Sequence, residues 1–88
     1  MIKDVYLFTD GSLAVFDGAG KERADLEGKL TPELQGKILA ECEEGTRITL
    51  ARWKRGFFEL TRKEFEGTSM VGSLLNVKFW MPGEKSSD

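Results

Sequence analysis

Two alternating apolar runs, each closed by a turn signal and set on either side of one amphipathic segment, limit this chain to a small set of folds. Residues Asp4–Thr9 place Val5 and Leu7 on one face and Tyr6 and Phe8 on the other, as a strand of period two does. Asp10-Gly11 suits the positive φ of a tight hairpin turn, and Leu13–Phe16 returns. The second run, Thr46–Trp53, turns Ile48 and Leu50 one way and Arg47, Thr49, Ala51 and Trp53 the other. Lys54-Arg55-Gly56 fits a three-residue loop with Gly at the left-handed position, and Phe57–Leu60 returns as a second hairpin.

Between the hairpins, Asp17–Lys21 forms a second turn, and the polar Glu22–Gly28 reads as an extended connection or a short strand. Thr31-Pro32-Glu33 starts a helix, because Thr caps, Pro fits the first turn and Glu complements the positive helix end. That helix is predicted from Pro32 to about Glu44, with Leu34, Ile38, Leu39 and Cys42 in one stripe and Gly45 as its stop. Glu41, Glu43 and Glu44 then crowd the negative helix end, so a basic neighbour is expected. Thr61–Glu66 has capping-box spacing for one helical turn before Gly67. Met70–Trp80 reads as a last strand, with Leu75, Val77 and Phe79 on one face.

The expected architecture is a single α+β domain over residues 1–82, followed by a polar, frayed tail at 83–88. An antiparallel sheet of four or five strands packs on one helix in the order ββαββ(α)β. Its expected core holds Val5, Leu7, Val15, Leu34, Ile38, Ile48, Leu50, Phe58, Leu60, Val77 and Phe79. Eighty-eight residues suit one core and no more.

Composition argues against most site chemistry. Histidine is absent, which removes the commonest acid-base group near neutral pH and the commonest metal ligand. The only cysteine, Cys42, falls on the apolar stripe, has no partner for a disulfide, and reads as a core residue rather than a nucleophile. Gly18-Ala19-Gly20-Lys21 lacks the remaining Walker positions, which Val15 and Glu22 occupy, so it reads as a polar turn. Asp10 and Asp17 lack calcium-loop spacing and read as turn residues. No catalytic, cofactor-binding or metal-binding residue is therefore assigned, and an enzyme is not expected. The opening residues lack a leader pattern and no apolar run approaches the roughly 20 residues of a membrane span, so the cytoplasm is the expected compartment.

The net charge of −2 conceals a division. Residues 45–63 hold Arg47, Arg52, Lys54, Arg55, Arg62 and Lys63 against Glu59 alone, a local +5, while the seven basic and fourteen acidic residues elsewhere give −7. Arg47, Arg52, Trp53, Lys54, Arg55, Phe57, Lys78 and Trp80 form the candidate binding set, a basic and aromatic sheet face for a protein partner or a second copy. The alternatives are a single-stranded nucleic acid held by phosphate pairing and stacking, or a merely solvated face with Trp53 and Phe57 as a cross-strand pair. The acidic helix end and the basic hairpin also offer complementary surfaces, within one chain or between copies.

Leu7-Phe8-Thr9-Asp10-Gly11-Ser12-Leu13-Ala14-Val15-Phe16-Asp17, with Gly20 and Leu26-Glu27-Gly28, resembles a pattern in small proteins of tailed bacteriophages and prophages. The shared features are the Asp-Gly turn, an apolar strand ending Phe-Asp, and Leu-x-Gly before a helix; Glu22–Asp25 stand where such proteins often carry Gln and Pro. The resemblance covers the first third of the chain and implies a mobile-element setting. It implies a domain acting as inhibitor or accessory factor, and brings no catalytic residues.

Overall fold

The computed structural model describes residues 1–52, 54–72 and 74–76. It is an α+β fold in which β1 (Ile2–Phe8) and β2 (Ser12–Asp17) form the first hairpin, followed by a 3-10 turn (Ala24–Leu26) and β3 (Gly28–Lys29). Helix α1 (Pro32–Glu41) leads into β4 (Cys42–Arg52) and β5 (Gly56–Leu60), and α2 (Arg62–Glu66) precedes a small ribbon of β6 (Ser69–Val71) and β7 (Leu74–Asn76). The main sheet runs β3-β2-β1-β4-β5.

The expected antiparallel sheet is corrected to a mixed one, because β1 and β4 are parallel at its centre. Parallel neighbours require a crossover, and β3 with α1 supplies it, returning the chain to the end of the sheet where β1 began. The expected final strand is also corrected. Its described part folds back at Gly72 (φ +65) into the β6–β7 ribbon, outside the main sheet. Val77, Lys78, Phe79, Trp80 and the 83–88 tail lie outside the described residues.

Helix α1 stops at Glu41, three residues earlier than its pattern predicts, and Gly45 is not its cap. Cys42 is already extended and pairs with Ile2, so strand pairing takes over residues that helix periodicity alone would have kept. Between the Ile2–Cys42 and Asp4–Arg47 pairs, five steps of β4 span two of β1. Thr46 closes this wide bulge: its hydroxyl donates to the Ile2 carbonyl at 2.6 Å and accepts from the Glu43 N–H at 2.8 Å. A smaller irregularity in β1 between Ile2 and Asp4 changes the alternation, so Ile2 joins Val5 and Leu7 in the core.

Register explains the core. Val15, Val5, Ile48 and Leu60 form one inward row across four strands, and Leu13, Leu7, Leu50 and Phe58 form the next. Ile38 of α1, Phe65 of α2, and Leu26 and Leu30 of the crossover seal these rows, with Leu34, Leu39 and Cys42 partly buried against them. Burying such aliphatic side chains is worth about 1.5–3 kcal/mol each. The two helices are tied by Gln35, whose amide donates to the Phe65 carbonyl at 2.7 Å and the Thr68 carbonyl at 3.1 Å. Thr31 caps α1, and α2 carries the full Thr61–Glu64 capping box.

Candidate functional site

With the inner face sealed, the outer face of the sheet carries the alternate residues of the same strands. Cross-strand register places Phe8, Ala51 and Phe57 in one row over β1, β4 and β5. Ala14, Tyr6, Thr49 and Glu59 make the next row, and Phe16, Asp4 and Arg47 the third. Tyr6 meets Phe16 edge to face, with ring centroids 5.9 Å apart. Phe57 is 73 % exposed and Phe8 37 %.

The first row is a trough. Two strand spacings separate the Phe8 and Phe57 backbones by about 10 Å, and the small Ala51 between them leaves a floor. The depression encloses about 740 Å³ and extends past Thr9, Asp10 and Ser12 at one end and Lys54 at the other. Asp10 is fixed there by the Ser12 hydroxyl (2.6 Å) and the Ser12 N–H (2.9 Å), which hold its carboxyl below the ordinary range with further help from Lys29. Such a surface can grip an apolar side chain and orient it by charge.

The sequence-expected residues separate in the fold. Phe57, Arg47, Lys54 and Arg55 are exposed, and Arg47 lies 3.9 Å from Glu59. Arg52 alternates to the inward side with Leu50, stands over the Phe58 ring at 5.9 Å and is 3 % exposed, yet it also lines the depression, so it stands behind the contact surface with little of itself presented. Trp53, Lys78 and Trp80 lie outside the described residues. Phe8 and Ala51 were not among the expected contacts. The alternation in the first strand already turned Phe8 away from the core, but its alignment with Phe57 depends on the parallel β1–β4 register, which no local pattern encodes.

The acidic helix end meets the basic segment at one point, where Arg62 donates to the Leu39 carbonyl at 3.0 Å, while its last carboxylate turns elsewhere. Glu41 accepts a two-pronged pair of bonds from Arg23 at 2.9 and 3.1 Å, and Arg23 also holds Asp25. Those bonds push both carboxyls below their usual range. Glu43 and Glu44 are no longer at a helix end but exposed in the β4 bulge. Cys42 is half-buried, and burial raises its thiol pKa. Among the described residues, no group of three or more Cys, Asp or Glu side chains could hold a metal ion, and no helix is long and apolar enough to cross a membrane. Comparison with protein-family models, with characterised proteins and with solved structures returned no match.

Proposed function

We propose that this chain is a non-enzymatic binding domain that engages a protein partner through the outer face of its sheet, acting as inhibitor or accessory factor. The observation that carries this reading is the Phe8–Ala51–Phe57 row, an aromatic-walled trough bordered by Lys54 on a face that the helices leave uncovered. Aromatic and basic side chains around a recess are the groups that dominate binding at protein interfaces. The bacteriophage or prophage setting rests on the first-hairpin resemblance, and the cytoplasmic assignment on the lone half-buried Cys42.

A bacterial lysate passed over the immobilised protein is expected to yield a stoichiometric partner that Phe57→Ala no longer retains. An exposed truncation of this kind shifts stability by only about 0.5 kcal/mol, so lost capture would report lost contact rather than lost fold. A partner retained equally by wild type, Phe8→Ala and Phe57→Ala would overturn the assignment.

A second reading, a single-stranded nucleic-acid module, has support from the exposed Arg47, Lys54 and Arg55 beside Phe57. Arg52, 3 % exposed where it lines the depression, offers a phosphate little access. Its signature is oligonucleotide affinity that falls steeply as salt rises, whereas affinity flat in salt excludes it.

A further inference from the structure

The trough ends at a sheet edge. Among the described residues β5 pairs only with β4, so its far side presents unpaired backbone donors and acceptors beside Phe57. Proteins usually blunt such an edge with proline, lysine or a bulge within the strand. Gly56-Phe57-Phe58-Glu59-Leu60 carries none of these, and its one charge, Glu59, sits opposite Thr49 and reaches Arg47 diagonally at 3.9 Å. The cations stand instead at the two ends: Lys54 and Arg55 precede β5, and Arg62 and Lys63 follow it. Lys54 and Lys63 are both exposed and form no ion pair among the described residues.

We propose that the outer edge of β5 receives an added strand from a partner segment that is acidic at both ends and apolar at alternate central positions. This rests on the binding reading above and names the chemistry of the partner. Five residues of β5 extend about 17 Å, so a segment of roughly nine residues spans the edge and reaches both basic ends. Its backbone completes the ladder, its central apolar side chains lie beside Phe57, and its terminal carboxylates meet Lys54 and Lys63. Acidic residues at its centre would face Glu59, which confines the negative charge to the ends. A second copy is the wrong occupant. Antiparallel self-pairing about Phe58 would set Lys54 and Arg55 of one copy against the Thr61–Lys63 end of the other, like charge against like.

The test uses the full chain and the synthetic peptide Glu-Asp-Thr-Phe-Thr-Phe-Thr-Asp-Glu, whose palindromic sequence makes strand polarity immaterial. Saturable binding is expected, with NMR amide shifts concentrated in β5. The same peptide N-methylated at its five central amides, and separately the Lys54→Glu/Lys63→Glu double variant, should each weaken binding by about tenfold or more. Equal affinity for the N-methylated peptide overturns strand addition. If Phe57→Ala still abolishes binding in that case, the face reading survives alone. Equal affinity for a version with Lys in place of every Asp and Glu overturns the acidic chemistry. No saturable binding at millimolar peptide, or a dimer by light scattering that Lys54→Glu strengthens, overturns the inference while the lysate capture still decides the broader reading.

Discussion

Lys54 sits at φ +62, a left-handed conformation that a side chain with a Cβ adopts at a cost of about 1–2 kcal/mol. Glycine removes that cost but gains freedom in the unfolded chain, so Lys54→Gly should raise the stability by about 0.5–1 kcal/mol, read from the urea midpoint. Because the same substitution removes a cation at the mouth of the trough, the stabilised variant should bind its partner less well. A midpoint unchanged or lowered would show that the turn is not strained at this residue. The sequence placed the left-handed residue of this turn at Gly56, and the structure has positive φ at both Gly56 and Lys54. Glycine announces a turn through its composition, whereas a lysine forced into the same region leaves no local trace. At the first hairpin the signal was direct: Gly11 is at φ +87, and Asp10 braces Ser12 as a turn residue should.

Among the elements, α1 shows where one-dimensional patterns stop being informative. Its start was legible because Thr31, Pro32 and Glu33 act within one turn; its end was not, because pairing of Cys42 with Ile2 is a contact between distant segments. The crowded acidic end did signal a basic neighbour, and Arg23 fills that place from the polar stretch before the 3-10 turn. This contact predicts a pH dependence. A carboxyl whose pKa is lower in the folded than in the unfolded state adds stability above the unfolded value and loses it as pH falls through the folded one. Glu41 and Asp25, both depressed by Arg23, and Asp17, depressed by the Lys21 N–H, therefore make the fold less stable below about pH 4. Glu22 opposes them, since its hydrogen bond and repulsion with Glu27 raise its pKa and its protonation favours the fold. Urea unfolding of Arg23→Gln across this range should show a shallower acid loss than wild type. Parallel curves would remove Arg23 from the account.

On the scale of the whole molecule, the two helices and the crossover close one side of a mixed sheet. The hairpins, the main helix and the inward aliphatic residues were readable from alternation and turn chemistry. The parallel centre was not, because it joins segments about forty residues apart, and neither was the trough that depends on it. Phe65 escaped for a related reason: it is the sole apolar residue of the five-residue α2, too short for a periodic stripe, yet it is fully buried. A domain of this size holds about 5–15 kcal/mol in total, and Phe65→Ala should cost about 3–5 kcal/mol through lost burial and the cavity left behind. Calorimetry should show a large fall in Tm, and a change of only a degree or two would mean that α2 is peripheral to the fold.

The Thr46-closed bulge gives the chain slack where it passes from helix to strand. Five steps of one strand are taken up against two of its neighbour there, and the ladder from Arg47 onward runs in register beyond it. The change of backbone form is thereby absorbed within one bend, and the strand that leaves it keeps strict alternation between its two sides.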